Sequence, residues 1–202
     1  MPEYYHNLIT EKSFKVLQEL RKRFDFILIG GWAVFLYTES LKSKDIDIIL
    51  DYGELEKFKK EFKVSKNERL KKYEAKKEEV DVDIYLPYFS KLGIPVEDIM
   101  KHCNSVEGFT VPIPEMLMML KIYTFKQRKG TNKGQKDLID ILSLIKKDKI
   151  DWDIYNKLIK QNNFLELNKE LKELLSLVMS VPELNISNHQ MAKLKKKVVG
   201  KL

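Results

Sequence analysis

Two aspartates one residue apart, Asp45 and Asp47, sit inside an otherwise apolar run, KDIDIIL over residues 44–50. Alternate residues of a strand share a face, so both carboxylates project from one side while Ile46 and Ile48 take the other. At an effective dielectric of 20, two like charges about 4 Å apart repel by roughly 4 kcal/mol, so such a pair is protonated, solvated or neutralised by a cation. A hard divalent metal is the economical solution. A second acidic run follows: residues 80–86, VDVDIYL, alternate with Val80, Val82, Ile84 and Leu86 on one face and Asp81, Asp83 and Tyr85 on the other. Asp45 and Asp47 with a third carboxylate, Asp83 or Asp81, make the acidic cluster on which a two-metal nucleotidyl-transfer site neutralises phosphates and aligns an attacking hydroxyl.

Other residue types suit the same chemistry. The pair Gly30 and Gly31 closes an apolar run, FILI over residues 26–29. Without side chains it lets backbone N–H groups and a following helix N-terminus approach a triphosphate closely. Farther along, Lys121 and Arg128 are seven residues apart, nearly two helical turns, so both project from one face and are able to hold phosphates. Asp137 and Asp140 share a face of the next helix, where a carboxylate orients that lysine or contacts the nucleotide or acceptor. For Lys121 the plain alternative is a boundary residue snorkelling from an apolar helix, for Asp137 a helix N-terminal charge, and for Asp140 a solvated face.

The elements that must position these residues are readable from periodicity. Leu8, Phe14, Leu17 and Leu20 mark an opening amphipathic helix over residues 5–23, then a strand over 24–29 and a helix over 32–37. Residues 44–50 form the second strand and 54–62 a helix. Residues 65–79, dominated by Lys and Glu, are either a twisted exposed strand or an irregular excursion. A strand over 80–86, a short helix over 96–103 and a strand over 109–111 follow. Pro112 and Pro114 mark a boundary. Beyond it the expectation is helices over 115–127, 133–147, 151–161 and 164–179, a loop over 180–188, and a Lys-rich helix or frayed tail over 191–202. The fold class is thus α+β: a small mixed sheet with flanking helices over residues 1–112, followed by a helical domain over 113–202.

Composition sets the outer bounds. The 202 residues are 44% hydrophobic and 33% charged, ordinary for a folded soluble protein. The N-terminus lacks a signal-peptide apolar core and the longest uncharged run is too short to span a bilayer, so a cytoplasmic protein without membrane contact is expected. Cys103 is the single cysteine and His6, His102 and His189 are scattered, which leaves oxygen ligands and hence magnesium or manganese for any metal. A net charge of +7 favours an anionic partner such as a nucleotide or RNA, against the plainer reading of a solvated lysine surface. Trp32 and Met116, Met118 and Met119 read as packing.

Gly30-Gly31-Trp32, then Lys44-Asp45-Ile46-Asp47-Ile48-Ile49, then Val82-Asp83-Ile84 resemble the DNA polymerase beta-type nucleotidyltransferase superfamily. Gly-Gly-Trp-Ala at residues 30–33 is similar to the aminoglycoside and lincosamide adenylyltransferase branch. Glu115 to Lys121, Arg128, and Lys136-Asp137-Leu138-Ile139-Asp140-Ile141 resemble the AbiEii-type branch, which includes toxins that modify tRNA. The resemblance spans residues 24–145. It implies a nucleotidyltransferase fold and transfer of NMP from an NTP, with magnesium or manganese on Asp45, Asp47 and Asp83. Asp83 is preferred to Asp81 because its strand leads into Tyr85 and Pro87. The resemblance further implies nucleotide contacts from Gly30, Gly31, Lys44, Lys121, Arg128, Asp137 and Asp140. The acceptor is RNA such as tRNA, or a small molecule such as an aminoglycoside. The alternative is a non-catalytic nucleotide- or RNA-binding module of a toxin–antitoxin or regulatory pair, with a homodimer or antitoxin as partner. Many members carry Gly-Ser after the first strand; here Gly-Gly removes that hydroxyl, and Ser40 and Ser43 are expected at the wrong end of the helix.

Overall fold

The computed structural model describes residues 3–202, with side chains from Leu8 onward. It resolves into two compact units, one ending at Ile113 and one running from Pro114 to Leu202.

In the first unit the chain forms α1 (Glu3–Arg21), β1 (Ile27–Ile29), α2 (Gly30–Thr38), β2 (Ile46–Ile49), α3 (Tyr52–Glu61), β3 (Val64–Asn67), β4 (Lys72–Lys77), β5 (Val80–Tyr85), α4 (Val96–Met100), β6 (Cys103–Val106) and β7 (Phe109–Pro112). The strands make one mixed sheet in the order β3-β4-β5-β2-β1-β7-β6. β2 runs antiparallel to β1 and parallel to β5. The central strands are short and apolar, and Leu28, Ile46, Ile48 and Ile84 are fully buried, as strands covered by helices must be. α1 packs on β5, and α2 on β1 and β2. α2 is apolar all round and buries Trp32, Ala33, Val34 and Leu36. Trp32 is core, its indole Nε1 donating to Ser13 Oγ at 2.9 Å.

Several boundaries differ from expectation for local reasons. Residues 65–79 are not irregular: they form the hairpin β3–β4 on the sheet edge, where polar side chains on both faces erase the period-two signal. The helix expected over 96–103 stops at Met100, and Cys103 instead opens the edge strand β6. Burial pushes the Cys103 thiol up to about 11.

The second unit is α5 (Pro114–Gln127), α6 (Asn132–Lys146), α7 (Trp152–Gln161), α8 (Leu165–Leu177), a short 3-10 turn (Pro182–Leu184) and α9 (Asn188–Val199). α5 packs against α6, α7 and α8, and its buried Met116, Leu117, Met118 and Met119 fill that core. The C-terminal lysine-rich stretch is a true helix, opened by a capping box in which Ser187 and Gln190 satisfy each other's backbone N–H groups. Among the described residues, no helix is long and apolar enough to cross a membrane.

Candidate active site

The site grows from the register of β2 and β5. In parallel pairing Asp47 stands directly beside Asp83, and Ile49 beside Tyr85, so the two carboxylates share a face on adjacent central strands. Asp45 lies in the bend just before β2 and is exposed, so it approaches from the strand end and not from within the strand. Lys44, half-buried, is in the same bend. Asp81 is on the outer part of β5, exposed and 3.8 Å from Lys76.

Gly30 explains why the turn above this pair needs glycine. Its φ is +70°, and a Cβ there would lie 2.2 Å from Asp47 Oδ2. The first residue of α2 is therefore pressed against one of the two carboxylates. The N-terminus of α2 has no side-chain cap and no acidic residue in its first turn. A helix start without a capping side chain has N–H groups to offer an anion.

Around the carboxylates are groups that sequence reasoning assigned no role. Lys72 of β4 reaches Asp83 Oδ2 at 2.6 Å and Glu74 Oε1 at 2.9 Å. Glu74 is the register partner of Asp83, so Lys72 neutralises two acids that would otherwise repel across the strands. Burial pushes the Asp83 carboxyl above its ordinary range; Lys72 opposes this, while Glu74 and Asp45 push it further up. Burial alone would lower the Lys72 ammonium, but its bonds to Asp83 and Glu74 hold it above its usual value. The Tyr85 hydroxyl donates to Asp47 Oδ1 at 3.4 Å. Ser43 is a correction: its Oγ would lie 2.9 Å from a Cβ on Gly31, so this hydroxyl returns to the glycine pair and is not stranded at the far end of α2.

The donor chemistry fits a hard divalent cation: oxygen ligands only, two of them in register on one sheet face and a third at the strand end. Among the described residues, no three such side chains are drawn together as a ready metal group; Lys72 supplies the positive charge at Asp83.

No protein-family model and no curated protein sequence matches the chain. Solved structures do. A Helicobacter pylori protein provisionally assigned as a nucleotidyltransferase aligns with a TM-score of 0.54 at 14% identity, covering 100% of this chain and 96% of that one. JHP933 from Helicobacter pylori gives 0.52 at 15%, covering 100% and 93%. The antibiotic-resistance factor ANT(2'')-Ia gives 0.51 at 15%, covering 81% and 98%. The chain has the nucleotidyltransferase fold.

The nucleotidyltransferase fold's sheet occupies the first unit, and the remaining candidate residues lie in the second. There Lys121 Nζ is 3.1 Å from Asp137 Oδ1 and 2.6 Å from Asp140 Oδ2. Arg128, just past α5, directs Nη1 toward Asp137 Oδ2 at 3.6 Å. The shared faces of α5 and α6 thus meet as one ion group, and Lys121 is held there instead of snorkelling. Burial pushes the Asp140 carboxyl up against the opposing pull of Lys121. Asp137 Oδ2 is buried and within hydrogen-bond range of no other side chain among the described residues.

Proposed function

We propose that this chain is a metal-dependent nucleotidyltransferase that moves NMP from an NTP to an acceptor hydroxyl. The observation that carries the proposal is the contact of Gly30, at the uncapped start of α2, with Asp47, itself in register with Asp83. In this reading the Gly30–Gly31 backbone and the Ser43 hydroxyl take the triphosphate. Asp45, Asp47 and Asp83 would hold magnesium or manganese, which would supply charge neutralisation on the phosphates and leaving pyrophosphate. Tyr85 orients Asp47, and Lys72 keeps Asp83 charge-balanced until nucleotide arrives. Asp83, with a raised carboxyl, is suited to accept the proton of the attacking hydroxyl. Lys44 serves the phosphates from the bend. In the helical unit Asp137 and Asp140 hold Lys121 in a buried ion group, which leaves the half-exposed Arg128 as that unit's candidate phosphate-binding cation.

The test is calorimetric titration with each NTP in magnesium or manganese, and incorporation from α-labelled NTP. Wild type binds and incorporates; Asp47→Ala loses incorporation on the order of 10²–10³-fold or more, the cost of deleting one preorganised charge in such a site. Binding of no NTP by the wild type overturns the reading. A second reading, a nucleotide- or RNA-binding module of a toxin–antitoxin or regulatory pair, is favoured by the Lys72–Asp83 pair, which occupies the carboxylate that the first reading needs for metal. Wild-type and Asp47→Ala proteins that behave identically in incorporation and in cell growth would select it.

A further inference from the structure

The positive charge of this protein is not spread over it. The first unit, through Ile113, carries 19 Lys and Arg against 20 Asp and Glu, a net of −1; the second carries 18 against 10, a net of +8. Within the second unit the lysines are concentrated by the fold. α9 buries Met191 and Val198, and its opposite stripe presents exposed Lys193, Lys196 and Lys197, spaced i, i+3, i+4, with Lys201 in the next turn. Lys197 Nζ bonds Asp148 Oδ1 at 2.7 Å, which draws the turn after α6, with exposed Lys147 and Lys149, alongside α9. Asn156 of α7 donates to the Lys201 carbonyl at 2.8 Å, fixing the end of the chain to the same surface. Two lysine runs far apart in sequence thereby become one patch.

We propose that this patch is the docking surface for an RNA, held by its phosphate backbone. The choice of RNA, the class of polyanion that offers acceptor hydroxyls, rests on the function proposed above; the patch itself does not. Lysines are compact point charges that meet phosphates without reading base edges. The aromatic residues of the neighbouring α7, Trp152 and Tyr155, are buried, so bases find no stacking platform there and recognition is electrostatic. Met191 and Val198 of α9 are covered by the unit's own core, and Val199 is the one large apolar side chain that α9 exposes, too little for an inserted lipid face, so the lysine stripe is left outward to meet a polyanion.

The test uses the full chain and a fluorescein-labelled RNA hairpin with a single-stranded 3′ end, followed by anisotropy across a potassium chloride series. Wild type binds with an affinity that falls steeply as salt rises. Lys147→Ala/Lys193→Ala/Lys196→Ala, at positions outside every ion pair found among the described residues, lowers the log–log salt slope by about 2, because roughly 0.7–0.9 counterion is released per phosphate contact. Lys22→Ala/Lys60→Ala/Lys91→Ala removes the same charge from exposed positions of the first unit and leaves the slope unchanged. Equal loss in both triples overturns the patch, as does binding to phosphatidylserine vesicles through the patch lysines without binding to the hairpin. NTP binding that survives in a protein with no RNA affinity refutes the patch alone. Patch-dependent RNA binding in a protein that binds no NTP refutes the catalytic reading alone.

Discussion

Among the described residues a lysine lies between two carboxylates at the sheet and again inside the helical unit, and the two arrangements are built to opposite ends. At the sheet, Lys72 bridges Asp83 and Glu74, whose side chains remain 24% and 38% exposed. In the helical unit, Lys121 bridges Asp137 and Asp140, which are 4% and 7% exposed. Both lysines are 13% exposed, so the contrast lies in the acids: solvent reaches those of the first group and can take over their charge, whereas those of the second are sealed and cannot be left alone. The difference separates a group poised to change partners from one that must stay assembled.

Replacing each lysine by methionine tests this most strongly. Lys121→Met strands buried Asp140 and leaves Asp137 with Arg128 alone, and should destabilise the fold by roughly 3–5 kcal/mol in urea unfolding. Lys72→Met should stay within about 1 kcal/mol of wild type, as expected for a partly exposed pair. The same Lys72→Met protein should bind manganese more tightly by calorimetry, since the ammonium no longer competes for Asp83. Equal destabilisation by the two substitutions would erase the distinction.

Two glycines sharpen the comparison with a smaller effect. Gly30 and Gly130 both have positive φ, +70° and +76°, but a Cβ on Gly30 meets Asp47 whereas one on Gly130 meets nothing within 4 Å. Alanine at either position should cost about 1–2 kcal/mol of backbone strain. Only Gly30→Ala should also weaken NTP binding, because only there does the new methyl displace a site carboxylate. Nucleotide affinity that falls in both variants, or in neither, would mean the contact between Gly30 and Asp47 has no bearing on the site.

How much of this was legible beforehand depended on whether the deciding contact was local. The acidic strands, the glycine turn and the shared face of Asp137 and Asp140 follow from spacings of one to three residues, and periodicity exposes them. The Lys72 bridge, the return of Ser43 to Gly31 and the lysine patch join residues whose proximity is set by strand order and chain reversal, which no local period encodes. The β3–β4 hairpin was illegible for a different reason. Its strand KYEAKK alternates only weakly, Tyr73 and Ala75 against Lys72, Glu74 and Lys76, because both faces tolerate charge at a sheet edge. Asp45 shows the limit of a correct pattern: the D-x-D spacing placed it on the strand face, yet β2 begins one residue later.

The smallest expected effect concerns pH and the sealed group. Burial raises the Asp140 carboxyl in the folded protein above its unfolded value, even with Lys121 beside it. The sign follows from linkage: below the unfolded carboxylate range both states bind the proton and the stabilising contribution is complete; as pH rises, the unfolded chain releases it first, and the contribution is lost by the time pH passes the folded value. Asp140→Asn keeps the shape without the ionisation. The melting temperature of wild type relative to Asp140→Asn should therefore fall as pH rises from acid toward neutrality. If it rises instead, ionised Asp140 is better accommodated inside than in water, Lys121 more than repays its desolvation, and the sealed group is a net source of stability instead of a constraint the helices maintain.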